Sequence, residues 1–117
     1  MAAEIVFLYG WGPEEEGRLS SLLYLAETAA AMNVNVAIFL FADAAVLAKK
    51  GICTKMGEEI GRRFATVLKN ENIKFHICEE AARKRSITTE SLEEGVTIVG
   101  YATFLDMAIS SKTVITI

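Results

Sequence analysis

"VNVAIFLFADAAVLA", residues 34–48, is the longest apolar stretch of the chain, interrupted only by Asn35 and Asp43. It falls short of the roughly 20 residues a helix needs to span a bilayer. Its first half, "VNVAIFLF" (34–41), reads as a strand with apolar side chains on both faces. Strands of that kind belong to parallel sheets covered by helices on each side. "ADAAVLAKKG" (42–51) then reads as a short helix closed by Gly51.

Outward from this stretch the same alternation repeats. "EIVFLYG" (4–10) is a short apolar run ending in Gly, as buried strands do. "GPEEEG" (12–17) opens a helix: Pro13 suits the first helical position, and Glu14, Glu15 and Glu16 suit the positive end of its dipole. The helix continues through "RLSSLLYLAETAAAMN", with Leu19, Leu22, Leu23, Ala26, Ala29 and Ala30 on one face. "TKMGEEIGRRFATVLKN" (54–70) reads as one longer helix, with Met56, Ile60, Phe64, Val67 and Leu68 as its apolar stripe. "IKFHIC" (73–78) is the third strand and "EEAARKR" (79–85) a short helix. "GVTIVG" (95–100) is the fourth strand. "ATFLDMAISS" (102–111) is a helix whose Thr103 and Asp106 are spaced as a capping box, and "KTVITI" (112–117) is the fifth strand. Strand–helix alternation means βαβ units with right-handed crossovers. The expectation is a single domain over residues 1–117, a three-layer α/β/α fold with a five-stranded, mainly parallel sheet.

Composition narrows the function classes. Hydrophobic residues make up 52% of the 117 positions and charged residues 23%, with a mean hydropathy of +0.33. A chain this small leaves much of its surface exposed, so part of the apolar excess is expected to meet a partner. A net charge of −3 and a sequence pI of about 5.2 argue against nucleic acid as the main partner. "MAAEIVFLYG" has no basic n-region and does not read as a signal peptide, so a cytoplasmic location is expected. There the two cysteines, Cys53 and Cys78, are expected to be thiols. Neither belongs to a CxxC pair and His76 is the single histidine, so no metal site and no Ser/His/Asp set is expected. "GWG" (10–12) is followed by Glu15 where a dinucleotide fingerprint needs a third Gly, and three carboxylates there repel phosphate. No cofactor is expected.

Ligands of open α/β sheets sit at the carboxyl ends of the strands. Those ends are Tyr9 to Gly12, Phe41 to Asp43, Cys78 with its neighbours, and Gly100 with Tyr101. Cys78 stands between a strand end and a helix start. Amides there favour a thiolate, Glu79 and Glu80 oppose it, and Arg83 and Arg85 restore the balance if they fold back over the sulfur. The plainer reading is a buried Cys acting as a small hydrophobe. His76, two residues earlier on the same strand face, is either a proton partner of the thiol or a satisfied polar group within the layers. Tyr9 and Trp11 are either the wall of a pocket or parts of a turn. "ARKR" (82–85) is either an anion patch or the solvated end of a short helix, and Cys53 is either a resolving thiol or a buried one.

"KFHICEEAARKRSITTESLEEGVTIVGYATFLDMAISSKTVITI" (74–117) resembles the DsrE/DsrF-like family, which includes the TusD-type sulfur-relay proteins. The elements that carry the likeness are an apolar strand ending in Cys78, then "AARKR", "ITTESLEEGVTIVG", a helix and the closing strand "KTVITI". "VNVAIFLFADAAVLAKKG" (34–51) resembles the family's second strand and the loop after it, and the N-terminal third agrees in layout. The resemblance implies a parallel α/β/α domain, often assembled as trimers or hexamers. It also implies a cysteine, here Cys78, that carries sulfur as a persulfide in the sulfur-transferring members. Ser86 stands where members often have Gly. The expected function is thus a sulfur carrier passing persulfide sulfur from a donor to an acceptor protein through a Cys78 exposed at the sheet edge. A homotrimer or homohexamer is expected, with "ADAAVLA" (42–48) among its contacts. The alternative is a non-catalytic binding or scaffold subunit in which Cys78 is structural. A third option is a two-cysteine oxidoreductase, which needs Cys53 and Cys78 within disulfide range.

Overall fold

β1 (Ile5–Tyr9), β2 (Val36–Leu40), β3 (Ile73–Cys78), β4 (Thr97–Val99) and β5 (Thr113–Thr116) form one five-stranded sheet in the order β4-β3-β2-β1-β5. The computed structural model describes residues 2–117. Every strand pairing is parallel. β2 lies at the centre with all five residues buried, as an apolar run without alternation requires.

The strand order dictates where the helices go. From β1 to β4 the chain steps one way across the sheet, so right-handed crossovers put α1 (Glu16–Ala31), α2 (Ile52–Lys55), α3 (Glu58–Leu68) and α4 (Glu79–Lys84) on one face. β5 returns to the far side of β1, so α5 (Tyr101–Ser110) crosses the opposite face. Two ring contacts mark these faces. Phe64 of α3 stacks on Phe75 with centroids 5.5 Å apart, and Phe104 of α5 lies against Phe39 at 4.5 Å. The register sets Phe39 beside His76 and Ile38 beside Phe75, so His76 shares the α5 face.

The two outer layers are unequal. α1 buries Leu19, Leu22, Leu23, Ala26, Ala29 and Ala30, the stripe its spacing demands. α5 buries none of its residues, and Leu105 and Ile109 are 54% and 81% exposed. No helix among the described residues is long and apolar enough to cross a membrane.

Several local expectations are corrected. Pro13 is not a helical residue: the Glu15 N–H donates to the Gly12 carbonyl in a turn, and α1 begins at Glu16. Residues 54–70 are not one helix but the end of α2 and the whole of α3, separated at an extended Met56 and Gly57. "ADAAVLA" is a 3₁₀ helix, Ala42–Ala48, whose Ala44, Ala45, Leu47 and Ala48 are all fully buried within the chain's own core. Those four side chains are therefore not available to a second subunit. The Thr103–Asp106 capping box does not form, because α5 begins at Tyr101 with Gly100 as its N-cap. A capping box does join Thr88 and Ser91, around the 3₁₀ turn Thr89–Ser91.

Tyr9 closes β1 with no exposed surface, and its hydroxyl has no hydrogen-bond partner among the described residues. Burial pushes its phenol up to about 12. An unsatisfied buried hydroxyl is destabilising, so Tyr9→Phe is expected to raise stability by about 1 kcal/mol. A urea midpoint equal to or below that of the wild type would count against this.

Candidate functional site

β3 and β4 end level with one another, since Cys78 pairs with Val99 in the parallel register. The chain therefore leaves both strands at the same edge. After β3 it enters α4 directly, with Cys78 as the N-cap (φ −65°, ψ 127°). After β4 it turns at Gly100, and Tyr101 is the first residue of α5. The two exits enclose a pocket of about 220 Å³ lined by Cys78, Glu80, Ala81 and Tyr101, with Phe41, Ala42, Lys84 and Arg85 completing the wall.

Cys78 is only 2% exposed, which corrects the expectation of a thiol open to solvent at the sheet edge. Tyr101 lines the same pocket and its phenol donates to Glu80 Oε1 at 2.9 Å, while Cys78 first and Glu80 second raise the Tyr101 pKa. Ala42, the first residue of the 3₁₀ helix that follows β2, has φ +50°, a left-handed conformation that costs a non-glycine residue roughly 1 kcal/mol. Backbone strain of this sort concentrates at functional sites.

The sequence profile of the DsrE/DsrF-like family matches residues 3–117. The chain belongs to the DsrE/DsrF-like family. The uncharacterized protein MJ0760 of Methanocaldococcus jannaschii is 34% identical over 85 residues, which are 70% of this chain and 31% of that protein. The DsrE-like chain thus spans about a third of that relative's length. The crystal structure of the ychN protein from E. coli superposes with a TM-score of 0.83 at 24% identity, covering 100% of both chains. The structure of MTH1491 from Methanobacterium thermoautotrophicum, a protein of unknown function, gives a TM-score of 0.70 at 14% identity over 95% of this chain and 98% of that one. At these identities the two structures establish the fold.

Within the DsrE-like site, the basic residues divide. Arg85 Nη2 donates to Asp43 Oδ1 at 2.8 Å and Nη1 to the Ala81 carbonyl at 3.3 Å, tying the end of α4 to the 3₁₀ segment across the pocket. Arg83 does not line the pocket. Its side chain is 72% exposed and approaches Glu80 Oε2 at 3.9 Å.

The remaining candidate residues are elsewhere. His76 shares the face of Cys78, as strand alternation requires, but its Nδ1 is 2.7 Å from Thr97 Oγ1. It lines a separate groove of about 470 Å³ with Lys74, Asp106 and Met107. Burial, then the Lys74 charge, pushes the His76 pKa below its ordinary 6.5. A depressed histidine lets the unfolded chain bind the proton first, so its contribution is fully present above the unfolded pKa and is lost as pH falls toward the folded one. His76→Gln is expected to flatten the decline in stability between about pH 7 and pH 5. Urea midpoints across that range, compared between variant and wild type, check it; parallel curves would contradict it.

Tyr9 points to the α1 side of the sheet, the face of Phe7 and Ile38, and does not wall the Cys78 pocket. Trp11 also lies outside it: its indole N–H donates to the Ile117 carbonyl at 2.9 Å, and Arg18 covers its ring at 4.0 Å. Cys53 lines another cavity, with Lys69 and Glu93. Burial and the Glu93 charge raise its pKa, which disfavours its thiolate at neutral pH. Both cysteines are free.

Tyr101 was a carboxyl-edge position in the sequence without an assigned role. Its place in the pocket of Cys78 follows from the Cys78–Val99 register, which no local motif encodes.

Proposed function

We propose that this protein is a sulfur carrier in which Cys78 takes up sulfur as a persulfide and passes it to an acceptor protein. The observation that carries this reading is the position of the thiol, at a strand-to-helix junction on the carboxyl edge, in a pocket that the Tyr101 phenol also lines. Membership of the DsrE/DsrF-like family supports it. The Cys78 thiolate attacks the terminal sulfur of a donor persulfide. A new S–S bond forms, the donor's S–S bond breaks, and the donor leaves as a thiolate that takes the proton lost by Cys78. One S–S bond replaces another, so no net oxidation occurs and no cofactor is needed. A cytoplasmic setting, where thiols stay reduced, suits this exchange.

A scaffold role is the second reading, favoured by the 2% exposure of Cys78. Incubation with a persulfide donor, followed by peptide-resolved mass spectrometry, separates the two. The carrier gains one sulfur atom on Cys78 and none on Cys53. A chain that gains none is a binding or scaffold subunit.

Assembly as a homotrimer or homohexamer belongs to the same proposal. The supporting observation is a set of exposed apolar side chains on the last two elements: Leu105 and Ile109 of α5, and Val114 of β5 at 42% exposed. Exposed apolar side chains of this kind suit the core of a subunit contact. Light scattering is expected to give a multiple of the chain mass, and a monomer near 12.8 kDa would refute it.

A further inference from the structure

Cys78 stands in the pocket with a phenol that has two acceptors for one proton. The Tyr101 hydroxyl donates to Glu80 Oε1 at 2.9 Å in a pocket of which Cys78 forms part of the wall. Glu80 is itself approached from its other oxygen, Oε2, by Arg83 at 3.9 Å. We propose that Tyr101 is the hydrogen-bond donor that stabilises the anionic sulfur of Cys78, and that Glu80 is the positioning residue that parks the phenol over the pocket while the thiol is protonated.

The inference rests on the sulfur-carrier reading for its purpose, but its geometry is independent of it. With a neutral thiol, Tyr101 gives its proton to the Glu80 carboxylate, the stronger acceptor. When Cys78 loses its proton to solvent, the sulfur becomes a second anionic acceptor on the same phenol. The O–H then turns to the sulfur, and Glu80 keeps the neighbouring Arg83. No bond to carbon or sulfur changes in this step, and the phenol keeps its proton throughout. Tyr101 resists giving that proton up: Cys78 first and Glu80 second push its pKa to about 12. After loading, the extra sulfur extends Cys78 into the pocket of about 220 Å³, which exceeds the roughly 30 Å³ that a water molecule fills in the liquid.

Glu80 and Lys84 come from α4, and Arg85 follows it, bound to Asp43 of the 3₁₀ segment. Glu79, at the start of α4, faces Gly100 on the opposite exit. Tyr101 is the hydroxyl contributed by α5 to this pocket.

The test is the pH dependence of Cys78 alkylation, read peptide by peptide in the full chain with iodoacetamide. Tyr101→Phe keeps the ring in the pocket wall and removes the donor. Its alkylation midpoint is expected to move up by about one pH unit, the size of a hydrogen bond to a charged group. Glu80→Gln removes the competing carboxylate and its charge, so its midpoint is expected to move down. Loss of the Glu80 charge lowers the midpoint by itself, so the upward shift in Tyr101→Phe carries the proposal, and an unshifted or lowered Tyr101→Phe midpoint overturns it. The outcome is separable from the carrier reading through sulfur loading of the wild type. An upward Tyr101→Phe shift without loading would retain the donor role of Tyr101 and remove the carrier function. Loading with an unmoved Tyr101→Phe midpoint would do the reverse.

Discussion

Cys78→Ser is expected to take up no sulfur from a persulfide donor while remaining folded. A serine hydroxyl is not ionised near neutral pH, and its oxygen cannot form the S–S bond on which a persulfide depends. Loading should therefore vanish rather than decline. The replacement is nearly isosteric, and the new hydroxyl shares its pocket with the Tyr101 phenol and Glu80 as polar neighbours. A buried hydroxyl with a partner costs little, so the expected loss of stability is about 1 kcal/mol or less. Cys53 offers no substitute, because burial and Glu93 hold its thiol protonated and it opens on a different cavity. Mass spectrometry reads the loading, and urea unfolding confirms that the variant is native. Full loading of a folded Cys78→Ser protein would remove the role assigned to this residue.

What the sequence made legible was largely local. "IKFHIC" was read as strand three and is β3 residue for residue, Ile73–Cys78. The stripe from Leu19 to Ala30 is the buried face of α1, because helical spacing alone decides which side meets the sheet. The mainly parallel sheet was read from strand–helix alternation and strands apolar on both faces, and every pairing proves parallel. What escaped was set by tertiary contact. The run Met56, Ile60, Phe64 keeps helical spacing through the break at Gly57, so periodicity could not show that the chain turns there. "ADAAVLA" has the composition of an interface and of a core alike, and only the fold places its Ala44 and Leu47 inside. The site divided along the same line. The sequence placed Cys78 at the functional edge, but not its 2% exposure, nor that strand register would bring Tyr101, 23 positions later, into the same pocket. The basic run gave no sign that Arg85 would close on Asp43, since their 2.8 Å contact spans two crossovers.

Gly61→Ala is expected to destabilise the protein by about 2 kcal/mol, against the usual direction for a glycine inside a helix. Alanine at such a position ordinarily gains about 1 kcal/mol from backbone entropy. Here a Cβ would be driven into the Cys53 carbonyl oxygen, with the Cys53 carbonyl carbon at 3.3 Å and the Met56 Cβ at 3.6 Å. The obstacle is backbone, so no rotamer change relieves it. That carbonyl also accepts the Met56 N–H at 3.4 Å where α2 ends, so pushing it away loosens the corner that separates α2 from α3. Overpacking of this kind costs about 1–3 kcal/mol and sometimes more, which exceeds the propensity gain. For a domain of this size the loss corresponds to a fall in Tm of roughly 8 °C. Gly17, in the first turn of α1, is the internal control, since a Cβ there meets nothing within 4 Å. Gly17→Ala should be neutral or stabilising by up to about 1 kcal/mol. Thermal unfolding of the two variants side by side measures the contrast. If both glycines respond alike, close approach at Gly61 is not what splits residues 54–70 into two helices.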